Sequence, residues 1–100
     1  MERETTTFRF EPGVTMTDVE QTLHLARLAA GSLHGEDRVR LQARATVKKS
    51  DRTVEIDTSR DVGQSLALIF GGYVRREFGS GAFEVHSSHI RAAHHAAGAV

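Results

Sequence analysis

Two runs in the middle of this chain alternate strictly between apolar and polar side chains, and helical periodicity brackets them on both sides. That arrangement limits the fold more than any other feature. Val39, Leu41, Ala43, Ala45 and Val47 alternate with Arg40, Gln42, Arg44, Thr46 and Lys48; beyond Ser50-Asp51, Val54 and Ile56 alternate with Thr53, Glu55 and Asp57. A period of two marks a strand with one buried face. Closing the runs on Ser50-Asp51 sets Val47 against Val54, Ala45 against Ile56 and Arg44 against Asp57. Apolar partners then share one face and opposite charges the other, so the register is self-consistent.

Upstream, Phe8 and Phe10 alternate with Thr7 and Arg9, which predicts a first strand over Thr5–Phe10. Pro12-Gly13 turns the chain. Thr17 followed by Glu20 has capping-box spacing, and Val19, Leu23, Ala26, Ala30 and Leu33 recur at helical intervals. Leu25, Leu28 and Ala29 widen that stripe, and Gly31 and Gly35 bracket its end. Downstream, Asp61 with Gln64 repeats the capping pattern. Val62, Leu66, Ile69, Phe70, Tyr73, Val74 and Phe78 form a second stripe, stopped by Gly79. A short last strand follows, with Phe83 and Val85 inward and Glu84 and His86 outward. Residues 1–87 read as a single domain. Residues 88–100, rich in alanine and histidine, read as a tail that is flexible or forms a short helix from Ser88.

Strand, helix, strand, strand, helix, strand is the order of a ferredoxin-like βαββαβ domain, an α+β two-layer sandwich. It predicts a four-stranded antiparallel sheet in the order four, one, three, two, with both helices on one face. The inward set is Phe8, Phe10, Val39, Leu41, Ala45, Val47, Val54, Ile56, Phe83 and Val85. The open face carries Thr7, Arg9, Arg40, Arg44, Thr46, Glu55, Asp57, Glu84 and His86. This superfold hosts many unrelated activities, so function has to be argued from sites.

Composition removes several classes. Thirteen basic and thirteen acidic residues cancel in a chain of 100, which leaves no long-range attraction for nucleic acid or an anionic membrane. The carboxylates of Thr53–Asp57 stand where an RNA-binding sheet would place stacking rings. The absence of cysteine excludes disulfides, thiolate catalysis and iron–sulfur clusters. No apolar run approaches the roughly 20 residues needed to span a bilayer, and the charged start Met1–Glu4 is unlike a signal peptide. A soluble cytoplasmic protein with no cofactor is the expectation.

Three places carry candidate chemistry. The Pro12-Gly13-Val14 turn between first strand and first helix resembles the turn of amino-acid-sensing ACT domains, with Thr15–Thr17 intervening before the helix. The resemblance implies a small-molecule site at Pro12, Gly13, Thr15 and Thr17. Metal-chaperone domains of this topology use two cysteines in the same loop, and none is present. Gly71-Gly72 lies mid-helix, where each glycine costs about 1 kcal/mol against alanine. Close internal packing offsets that cost, or a partner touches bare backbone there, with Gly71, Gly72, Tyr73 and Arg75 as the interface. His86, His89, His94 and His95 are four of the six histidines and offer imidazole to zinc, nickel or copper. They lack i, i+4 spacing, so adventitious affinity is the simpler account.

No catalytic constellation is legible, and the expectation is a small non-enzymatic interaction module. It self-associates as a homodimer or higher oligomer, or binds another protein. The alternative is a small-molecule or metal sensor using the Pro12–Thr17 loop or the histidine tail.

Overall fold

The computed structural model describes the backbone of residues 2–91 and the side chains of residues 3–88. Its elements are β1 (Glu2–Phe10), α1 (Met16–His34), α2 (Glu36–Gln42), β2 (Ala45–Lys48), β3 (Thr53–Asp57), α3 (Asp61–Phe78) and β4 (Phe83–Arg91), with one 3-10 turn at Ser80–Ala82. The class is α+β, with three helices and a four-stranded sheet in the order β2-β3-β1-β4, every neighbouring pair antiparallel. Read from the other edge, that order is four, one, three, two.

Register follows from which side chains the core takes in. Val47 opposes Val54 and Ala45 opposes Ile56, Phe8 lies between Val54 and Val85, and Phe10 opposes Phe83. The Asp57 amide donates to the Arg44 carbonyl at 2.9 Å, carrying the hairpin one rung past β2. Its turn centres on Ser50-Asp51, closed by the Arg52 amide donating to the Lys49 carbonyl at 3.1 Å.

The helices α1 and α3 lie side by side on the sheet face that carries Phe8, Phe10, Val54 and Ile56. Val19, Leu23, Ala26 and Ala30 of α1 meet Val62, Leu66, Phe70 and Val74 of α3 in that core. All five phenylalanines of the chain join one ring cluster. Its tightest pair is edge-to-face, Phe8 on Phe70, with centroids 4.9 Å apart at 82°; such a pair contributes roughly 0.5–1.5 kcal/mol beyond its burial. Helices α1 and α3 end where the glycines predict. Gly35 and Gly79 take φ of 91° and 92°, open mainly to glycine, and their amides return to the Gly31 and Arg75 carbonyls.

Several expectations are corrected. Val39 and Leu41 are not strand residues: residues 36–42 form α2, and β2 starts only at Ala45. Val39 and Ala43, four apart, are buried while Leu41 is 74% exposed, which is helical and not strand periodicity. The helix is supported by Glu36 and Asp37 in its first turn, by an Arg40–Asp37 ion pair at 3.3 Å, and by an Arg38–Gln42 hydrogen bond at 3.4 Å. Arg40 accordingly leaves the open sheet face.

Neither capping box forms as predicted. Helix α1 begins two residues earlier, at Met16, with Thr15 in the cap position and no hydroxyl bond. Burying Val14 and Val19, which hold hydrophobic-staple positions, fixes that start. At α3 the cap position is Arg60, and the Asp61 carboxylate accepts the Val62 amide at 3.0 Å. Gln64 donates instead to the Thr58 carbonyl at 3.1 Å.

Leu33, expected in the α1 stripe, and Leu25 and Leu28, expected to widen it, are exposed, as is Leu68 on α3. The first and last strands of the chain run further than predicted, β1 from Glu2 and β4 to Arg91. Ser88–Arg91, read as tail or helix, therefore pair with β1; residues 92–100 lie outside the described residues. No described helix is long and apolar enough to cross a membrane.

Candidate functional site

Strand β4 stands at one margin of the sheet and pairs with β1 over nine consecutive rungs, from Phe10–Phe83 to Glu2–Arg91. The pairing contains no bulge, and the strand contains no proline, so two devices that commonly protect an edge are missing. The far side of β4 offers backbone donors and acceptors to another strand. The opposite margin, β2, is only four residues long and its two lysine or threonine side chains, Lys48 and Thr46, point outward.

An apolar row runs into this edge. Val47, Val54, Phe8 and Val85 lie directly across from one another, rung by rung, on the helix-covered face. Burial falls along it, from Val54 at 0% exposed to Val85 at 47%, because α3 stops short of the last strand. The gap is a trough of about 500 Å³ between α3 and the β1–β4 ribbon. Phe8, Val85, Ala67, Leu68 and Gly71-Gly72 make its apolar half, while Glu4, Thr6, Thr58, Gln64 and Ser87 line the other end and Arg75 contributes at the wall. Leu68, 79% exposed, is the most exposed large apolar side chain here.

The polar end is held by a connected set of bonds. Thr58 donates its amide to the Glu4 carbonyl at 2.8 Å, the Glu4 amide donates to Ser59 Oγ at 2.9 Å, and the Thr6 and Thr58 hydroxyls meet at 3.4 Å. The Ser59 amide donates to Asp57 Oδ1 at 2.9 Å. That backbone hydrogen bond holds the Asp57 carboxyl below its ordinary range against the opposing effect of burial, with Ser59 Oγ, Arg3 and Arg44 adding to the depression.

On the open face the edge carries charge. The imidazole Nε2 of His86 lies 3.3 Å from Glu84 Oε1, and Arg9 stands opposite Glu84 on β1. Further in, Lys48 pairs with Glu55 at 3.2 Å. The two signs interleave across this face, as the sequence predicts.

The predicted loop site lies elsewhere. Pro12, Gly13, Thr15 and Thr17 are exposed and do not line the trough. What organises their loop is Arg52, in the β2–β3 turn, whose guanidinium donates to the carbonyls of Phe10 at 3.3 Å, Glu11 at 2.6 Å and Val14. Arg52 is also the one non-glycine residue with positive φ, 59°, among the described residues. Nothing in its local sequence marks it, because all its acceptors lie about forty positions away.

Of the predicted interface residues, Gly71, Gly72 and Arg75 line the trough. Tyr73 lies on the α1 side of α3 beside Leu33 and Ile69, with the Arg76 guanidinium 5.9 Å above its ring. A β-carbon on Gly71 would rest 3.6 Å from the Phe8 ring, and one on Gly72 would meet nothing within 4 Å. Close internal packing therefore does not account for Gly72. The glycine that packing does demand is Gly63, whose β-carbon would collide with the Asp57 carbonyl. No local sequence signal marks it, because its requirement comes from a strand that packs against the helix.

Of the four histidines, His86 is exposed on the open face. His89 belongs to β4 by its backbone, opposite Glu4, at an odd register position where His86 holds an even one. His94 and His95 lie outside the described residues. Among the described residues no three metal-ligating side chains gather.

One polar pair was not foreseen. His34 Nε2 lies 2.9 Å from Ser65 Oγ, joining the end of α1 to α3. Asp61, one turn earlier on α3, is committed to Arg38 at 3.2 Å and to the Val62 amide. The pair ties two helices together without a carboxylate bonded to the imidazole, so it lacks the third member of a nucleophilic triad.

The chain matches no protein-family model and no curated protein sequence.

Proposed function

We propose that this chain is a small non-enzymatic module that self-associates through the free edge of β4. The observation that carries this reading is the apolar row ending at Val85: four apolar residues in line lead from the core to a half-exposed valine on a strand with no further partner among the described residues. Adding a strand there satisfies the free backbone groups and removes that apolar surface from water, at about 25 cal/mol per Å². Dispersed rather than convergent polar groups support a non-enzymatic role, since the shifted carboxylates Asp57 and Asp61 are both engaged by neighbours that fix loops and helix ends. A ferredoxin-like βαββαβ domain elaborated by α2, acting as a cytoplasmic homodimer, is the form this reading takes.

Native mass spectrometry of gently purified protein, with light scattering over a hundredfold dilution, tests it. A dimer or a larger closed oligomer is expected; a monomer at every concentration overturns the reading.

A second reading has one observation in its favour. The trough, about 500 Å³ with an apolar and a polar end, has the size of a small-molecule pocket. Copurified mass beyond the polypeptide in the same spectrum would mark it, as a metal mass would mark the histidines.

A further inference from the structure

Resting on the self-association reading above, we propose that the occupant of the β4 edge is a second copy of this chain, related by a two-fold axis that passes through Val85 perpendicular to the sheet. In antiparallel pairing, directly opposite residues share a face. An axis normal to the sheet keeps the helices of both copies on one side, so odd positions of β4 meet odd positions and even meet even.

The possible registers are few. An axis at residue 84 sets Glu84 against its own copy. At residue 86, His86 faces His86 and Glu84 faces Ser88; at residue 87, Glu84 faces Ile90. With the axis at residue 85, Glu84 of each copy falls opposite His86 of the other, and the two valines meet between them. Each carboxylate already holds an imidazole of its own chain at 3.3 Å and an arginine across from it on β1, so the paired edges form an alternating cluster of donors and acceptors.

The helix-covered face gives the same answer independently. The row Val47, Val54, Phe8, Val85 meets its own reverse, giving a line of eight apolar side chains across one continuous sheet. The troughs lie beside Val85 under α3, so the two copies turn them toward each other and the exposed Leu68 side chains flank the joined valines. An isologous contact of this kind closes at two copies, with residues 83–87 of each β4 paired across the axis. The competing surface, the exposed leucines on the outside of the helices, shows neither a register nor a charge pattern that selects an occupant.

The chain contains no cysteine, so a single introduced thiol reports the axis directly. Across an antiparallel pair the α-carbons lie about 4.5–5.5 Å apart, within disulfide reach. The experiment compares Val85→Cys with Leu33→Cys on the outer helical surface, under mild oxidation at one protein concentration, with circular dichroism confirming the fold of each. Disulfide-linked dimer should form from Val85→Cys and not from Leu33→Cys. A dimer in native mass spectra in which Val85→Cys crosslinks no faster than Leu33→Cys overturns this axis while leaving self-association standing; an unmodified chain that is monomeric overturns both.

A charge exchange gives a second readout that needs no oxidation. Glu84→Lys should weaken the dimer about tenfold, the scale of two cross-strand pairs turned unfavourable. The exchange Glu84→His with His86→Glu should restore it. Failure of the exchange to recover more than the single substitution would also overturn the register.

Discussion

The carbonyl oxygen of Asp57 occupies the space that a β-carbon on Gly63 would need. The strand β3 and the first turn of α3 are therefore in backbone-to-backbone contact, with no side chain between them, and Gly63 is buried there. Backbone cannot step aside as a flexible side chain can. Gly63→Ala should destabilise the fold by about 3 kcal/mol, at the upper end of overpacking costs, despite alanine's better helix propensity. Urea unfolding of the two proteins at one concentration measures this, and a loss under about 0.5 kcal/mol would contradict the contact.

Gly72 should respond in the opposite direction. Its β-carbon would meet nothing within 4 Å, and alanine is favoured over glycine inside a helix by about 1 kcal/mol. Gly72→Ala should raise the urea midpoint with an unchanged slope. If it instead abolishes assembly while the monomer stays folded, the bare backbone at that point serves a partner.

Arg52 holds three carbonyls of the β1–α1 connection from a turn about forty residues further on. Arg52→Ala should cost about 2 kcal/mol, the scale of a charged donor lost from partly buried acceptors. Faster amide hydrogen exchange in Glu11–Val14 should accompany it. Arg52→Lys should recover only part, because a single ammonium cannot reproduce the guanidinium fork.

Acid should weaken the hold on the end of β3. Asp57 is held below its ordinary range chiefly by the Ser59 amide. A depressed carboxylate adds stability above its unfolded value, about 3.9, and that contribution is lost as pH falls through the lower folded value. The melting temperature of the unmodified chain should therefore drop below about pH 4. Asp57→Asn should be less stable at pH 7 and show a shallower acid slope in thermal scans. Equal slopes would show that other carboxylates dominate.

The hairpin was legible because both of its determinants are local. Val47, Val54, Ala45 and Ile56 are within twelve positions of one another, and a slip of one residue would expose them all. The segment 36–42 misled for an equally local reason. Val39, Leu41 and Ala43 satisfy period two, but Val39 and Ala43 also satisfy a helical turn, and seven residues are too few for either period to exclude the other. Packing decided it: the Arg27 guanidinium on α1 donates to the Ala43 carbonyl at 3.2 Å, and Val39 enters the core.

The candidate site was only half legible. Gly71, Gly72, Arg75 and Val85 all border the trough, and three of them drew notice from the sequence, since paired glycines inside a helix have a cost. The alternation predicts Val85 as core. Its half exposure follows from where α3 stops, which no local pattern records.

By itself, the sequence determined the paired strands, the two long helices, their glycine ends and the inward faces, because these depend on periodicity and turn chemistry among near neighbours. Only the tertiary structure decided that residues 36–42 are helical, that Gly63 is required, that Arg52 clamps a distant loop, and that the core row reaches an open edge at Val85. Each of these depends on contacts between segments far apart in the chain, where packing space and the reach of one side chain settle the outcome.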